Sequence, residues 1–136
     1  MKVFVACSKH FYNRIPLIKE ILEDMGNKVT LPNSYEEPFA EEKLKRLGKE
    51  EHVKFKQEMM KLHEPKIKQN DAILVLNFNK QDKKNYIGGA TFMEIVKAWE
   101  LKKKIFLINQ IPKCCFTDEL EGINPTILNG ELTKLK

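Results

Sequence analysis

Apolar residues arrive along this chain in two rhythms. Val3-Phe4-Val5-Ala6, Ile73-Leu74-Val75-Leu76 and Ile105-Phe106-Leu107-Ile108 are unbroken runs, the pattern of strands covered on both faces. Between them the spacing turns helical. Ile15, Leu17, Ile18, Ile21, Leu22 and Met25 predict a helix that Gly26 stops. Lys28 to Pro32 reads as a short second strand. Phe39 to Gln69 is charged and helix-forming, with a break expected at Gly48 and a kink or end at Pro65. Asp71 to Asn77 is the third strand, and a helix follows Gly88-Gly89 as far as Leu101. Ile105 to Asn109 is the fourth strand, Thr117 to Gly122 a short helix, and Thr126 to Asn129 a short fifth strand.

Strands that alternate with helices imply right-handed crossovers and a parallel sheet. The expectation is therefore a single α/β domain over residues 1–136, doubly wound and flavodoxin-like in outline, with five parallel strands in the order 2-1-3-4-5. No internal repeat or low-complexity linker suggests a second domain. No stretch approaches the length of a membrane span, and the apolar start Met1 to Cys7 is too short for a signal peptide. The expected setting is cytoplasmic.

Charge narrows the partners. Lys and Arg number 24 against 19 Asp and Glu, a net +5, but only Arg14 and Arg46 are arginines and the lysines alternate with glutamates. That describes solvated helix faces rather than a nucleic-acid footprint, so neither nucleic acid nor membrane is an expected partner. Lys102-Lys103-Lys104 closes a helix, where cations suit the macrodipole. The three cysteines, Cys7 and the adjacent Cys114 and Cys115, lack metal-ligand spacing and point to reduced thiols. No metal or cofactor is called for.

In a doubly wound sheet, the loops after the strands converge on the carboxyl edge. Ser8, Lys9 and His10 follow strand one, Tyr35 follows strand two, the segment Asn77 to Glu94 follows strand three, and Asn109 follows strand four. The segment Gly88-Gly89-Ala90-Thr91-Phe92-Met93-Glu94 carries the most chemistry. Its glycines allow a ligand close to the backbone, its helix start favours anions, and Glu94 places a carboxylate there. Thr91-x-x-Glu94 is equally a capping box, in which Glu94 would only satisfy a backbone amide. Asn77 and Asn109 suit a substrate hydroxyl or base edge, or a strand-ending turn.

The stretch DAILVLN followed by GGATFMEIVKAWELKKKIFLI resembles the nucleoside 2-deoxyribosyltransferase superfamily, in which an Asp-led strand precedes a Gly-containing turn and a glutamate that opens a helix. The resemblance implies that Glu94 is a nucleophile. It would attack the anomeric carbon of a nucleoside, displace the base and form a glycosyl ester, chemistry related to retaining glycosidases. On this reading the positive end of the helix helps keep Glu94 ionised. Spacing places His63, next to Glu64, where the family has its base-protonating aspartate. Lys9 and His10 would meet a 5′-phosphate, as in the related deoxynucleotide N-hydrolases, and Ser8, Tyr35, Asn77, Gly88, Gly89, Thr91 and Asn109 would line the substrate.

Two positions depart from the pattern. Val96 stands where the family has a close-packing glycine, and Gly88 where many transferases have an acid. These departures favour an alternative, a nucleotide-binding or sensing module of the same fold without turnover. GGATFME also falls one residue short of the loop of the lysine-decarboxylase-like phosphoribohydrolases, a second resemblance. A third expectation is an interaction protein built on the charged segment Phe39 to Gln69. The family implies a homo-oligomer acting on a small-molecule nucleoside or nucleotide.

Overall fold

In the computed structural model, which describes residues 1–136, the apolar runs become strands β1 (Lys2–Ala6), β3 (Ala72–Val75) and β4 (Lys104–Leu107). The two flanking strands, β2 (Lys28–Thr30) and β5 (Thr126–Ile127), are shorter and less apolar. All pairings are parallel, in the order β2-β1-β3-β4-β5, as the alternation predicts. Register puts Phe4 beside Ile73 and Ile73 beside Ile105.

Alternate residues of each central strand feed opposite layers. Val3, Val5, Leu74 and Phe106 join α1 (Ile15–Asp24) and the C-terminal Leu128, Leu132 and Leu135 on one face. Phe4, Ile73, Val75 and Leu107 join Ile67 of α3 (Lys49–Lys68), Ile95 and Ala98 of α4 (Gly89–Glu100), and Leu120 of α5 (Thr117–Ile123) on the other. Burial on both faces explains why these strands read as continuous apolar runs. Each Leu, Ile or Phe fully enclosed here contributes about 1.5–3 kcal/mol of transfer free energy.

Several details depart from the sequence expectation. Lys9–Arg14 is a 3₁₀ segment rather than an open loop, with Ser8 as its N-cap. The break expected at Gly48 is present: its φ of 155° suits glycine, and it divides the charged stretch into α2 (Ala40–Leu47) and α3. Helix α3 does not end at Pro65. The proline removes one backbone donor close to the C-terminal turn, and Gln69 N still donates to Pro65 O at 3.2 Å, so the helix continues to Lys68. Met93 and Trp99 of α4 are exposed. No helix is long and apolar enough to cross a membrane.

Candidate functional site

Helix α4 begins five residues before Glu94. Gly88 is its N-cap in extended conformation and receives no side-chain capping bond, and the first turn holds no acid. Glu94 therefore lies in the second turn. The capping box is not formed, and the helix-end amides expected to hold Glu94 ionised are too far along the axis to do so, because that effect fades within the first turn.

What Glu94 does instead follows from helical spacing. Thr91, Glu94, Ile95 and Ala98 are the buried residues of α4, and they stand at i, i+3, i+4 and i+7, one stripe facing the core. A carboxylate sits at an apolar position of that stripe. No donor in the chain hydrogen-bonds it, and its nearest ionisable neighbour is His63 of α3, with Nε2 4.0 Å from Oε2. Burial raises the Glu94 pKa to about 8; the nearby Lys66 ammonium opposes the rise. Lys66 donates to Leu31 O at 2.7 Å, so its charge is fixed by the backbone rather than paired with Glu94. His63 shifts the other way. Burial, then Lys56 and Lys66, lowers its pKa.

Both residues open into a cleft of about 300 Å³ at the carboxyl edge of the sheet. The structure brings Ser8, Lys9, His10, Gly88, Gly89 and Thr91 together on its walls. Gly88 is required by its surroundings. A Cβ there would lie 3.2 Å from the Tyr86 hydroxyl, whereas a Cβ on Gly89 would meet nothing.

Three expected contacts are not at the cleft. Asn77 is fully buried. Its Nδ2 donates to the carbonyls of Asn109 and Gln110 at 3.1 and 2.9 Å, and its Oδ1 accepts from Asn109 N at 3.0 Å. The Asn109 side chain donates back to Asn77 O at 3.2 Å. These two amides satisfy each other and clamp the ends of β3 and β4. Tyr35 stands one ring behind the wall, edge-on to Tyr12 with centroids 5.5 Å apart, and it is Tyr12 that lines the cleft.

Tyr12, Glu41, Lys56, Lys80 and Tyr86 are among the cleft residues that the sequence did not single out. Tyr12 sits in the 3₁₀ segment, so the loop after strand one was the signal for it. Glu41 and Lys56 arrive from the α2–α3 hairpin, where only the tertiary fold places them. Lys80 lies over the Tyr86 ring at 4.5 Å and has no acidic partner. Burial, then Glu94, pushes the Cys7 thiol on the cleft floor up to about 12, so it is an inert thiol rather than a nucleophile. No set of three or more His, Cys, Asp or Glu side chains is arranged to hold a metal ion.

No family model and no curated protein matches the chain. Among solved structures, it is similar to the Clostridium botulinum CMP N-glycosidase BcmB. The TM-score is 0.55 and the sequence identity 18%, over 93% of this chain and 85% of that one. At this identity the likeness is one of fold: both chains share the doubly wound parallel sheet.

Proposed function

We propose that this protein cleaves or transfers at the N-glycosidic bond of a nucleoside or nucleotide, with Glu94 as nucleophile and His63 as proton donor to the leaving base. One observation carries the reading. A carboxylate occupies a core-facing helix position, takes no hydrogen bond from the chain, and opens into a cleft beside a histidine. A structural role would leave it capped or paired. The fold likeness to an enzyme described as a CMP N-glycosidase supports the same chemistry.

The two shifts suggest how the pair works. Near neutral pH, Glu94 holds a proton and His63 does not. Transfer of that proton gives a carboxylate and an imidazolium, the two species the reaction needs. Glu94 Oε attacks the anomeric carbon as the C–N bond breaks. The imidazolium proton passes to the departing base nitrogen, leaving a glycosyl ester and neutral His63. Water or a second base then attacks the anomeric carbon, passes its proton to His63 and releases Glu94 as a carboxylate, and return of that proton to Glu94 restores the starting pair. The 4.0 Å separation is long for direct transfer, and such distances commonly shorten when substrate binds.

A pair sharing one proton titrates as a unit. Activity is expected to be bell-shaped, falling below the depressed His63 pKa and above about 8. His63→Gln should lower base release by about 10²-fold and abolish the bell, leaving a single rise with pH as Glu94 ionises. The test is base release by chromatography across a panel of ribo- and deoxyribonucleosides and their 5′-monophosphates, with mass spectrometry for a glycosyl adduct. Ligand-induced thermal stabilisation without base release from any of them would overturn the enzyme reading in favour of a binding module.

A further inference from the structure

Helix α2 buries none of its side chains. Phe39 before it and Leu47 at its end are 68% and 71% exposed, so apolar packing holds it only weakly. Its two first-turn acids do different things. Glu41 stays within the hairpin, bonding His52 Nε2 at 3.0 Å and Lys56 Nζ at 3.1 Å. Glu42 reaches across to Lys9 at the cleft.

The Glu42 contact is only half satisfied. Its Oε2 is buried without any hydrogen-bond partner, the one buried side-chain polar atom in the molecule so placed. A buried carboxylate oxygen without a donor is unfavourable, so this ion pair is open to exchange. It also sits where an anion is wanted. Lys9, His10 and Lys80 share that cleft wall. Lys80 has no carboxylate, and burial followed by the charges of Lys80 and Lys9 lowers the His10 pKa. Glu42 is the acid paired with Lys9 on this wall.

We propose that Glu42 holds the place of the ligand's anionic group: a phosphate received by Lys9, His10 and Lys80 displaces the Glu42 carboxylate, and Glu42 thereby sets the preference of the cleft between phosphorylated and unphosphorylated ligands. The proposal rests on the nucleotide reading of the cleft. Each phosphorylated ligand must exchange one ionic contact for another, and α2, which has no fully buried residue, gives up little apolar packing if it shifts. A neutral nucleoside leaves the contact intact.

The experiment measures binding separately from chemistry. Calorimetric titrations of inorganic phosphate, a nucleoside 5′-monophosphate and the parent nucleoside are made into Glu94→Gln protein, with and without Glu42→Gln. Removing the Glu42 charge should tighten monophosphate and phosphate binding by about fivefold, the upper range of a partly exposed ion pair, and leave the nucleoside within twofold. Adding Lys9→Met should erase that gain. Amide exchange over residues 40–47 should rise when phosphate binds to protein with Glu42 in place. Unchanged or weaker phosphate binding in folded Glu42→Gln protein overturns the proposal, as does an equal gain for the nucleoside. The two readings fail separately. Tightened phosphate binding with no base release by the otherwise unaltered protein would sink the enzyme reading alone, and base release with no effect at Glu42 would sink this one alone.

Discussion

Replacing Glu94 by Gln should abolish base release and, at alkaline pH, make the protein more stable. The first effect is the loss of the nucleophile, and the rate should fall by roughly 10⁴-fold or more. The second follows from burial. The folded-state pKa of Glu94 is about 8, against an ordinary 4.5. Between those values the native state holds a proton that the unfolded chain has released, so stability falls as pH rises. Below about 4.5 both states are protonated and nothing is lost; above about 8 the full penalty of a buried charge is present. Glutamine has nearly the same shape and no charge to bury. The linkage ceiling for the difference is about 5 kcal/mol. The open cleft lets solvent reach the ionised carboxylate, so roughly half of that is the expected gain at pH 9. At about 2–4 °C per kcal/mol for a chain of this size, Glu94→Gln should melt roughly 5–10 °C above the parent at pH 9 and level with it near pH 5. His63 is present in both proteins, so its own titration largely cancels. Paired melting curves from pH 5 to 9, with base-release assays on the same samples, decide the matter. Equal melting temperatures at pH 9 would show that the carboxylate is not held in an apolar environment.

A binding residue kept only for geometry would not show this exchange of stability for chemistry. An ionisable group held where the fold disfavours its charged form marks a functional site more specifically than a cleft does. The helix-face position of Glu94 was already present in the spacing of Thr91, Ile95 and Ala98. Reading the segment as a helix mouth hid it, because two glycines and a Thr-x-x-Glu spacing look like a cap. The strands were legible because burial on both faces writes an unbroken apolar run. The hairpin's share of the cleft was not: Glu41 and Lys56, like Lys80 in the loop after β3, are polar residues in polar surroundings, and nothing local distinguishes them from solvated lysines and glutamates. His63 was reached only through the resemblance; its place opposite Glu94 depends on how α3 crosses α4. Asn77 and Asn109 failed in the opposite direction. Polar residues at the carboxyl ends of strands suit ligands, but adjacent parallel strands also need their ends tied, and two asparagines level with each other can do that by themselves.

That distinction gives the second large effect. Asn77→Ala should destabilise the fold by about 2–4 kcal/mol, through unsatisfied buried polar groups and the space left by the amide. The substitution orphans Asn109 N and removes a donor from the carbonyls of Asn109 and Gln110. The melting temperature should drop by roughly 5–15 °C. Asn109→Ala breaks only the bond from its side chain to Asn77 O and should cost about 1 kcal/mol. Asn77→Asp should be no better than alanine. Its carboxylate can still accept from Asn109 N but places negative oxygen against two carbonyls that need a donor, in a site with no solvent. Ligand binding separates the clamp from a substrate contact. Well below its melting temperature, Asn77→Ala should bind nucleotide within about twofold of the parent, because the amide lies outside the cleft. A melting temperature within a degree of the parent, or a tenfold loss of affinity in protein that is still folded, would mean that the amide faces the ligand after all.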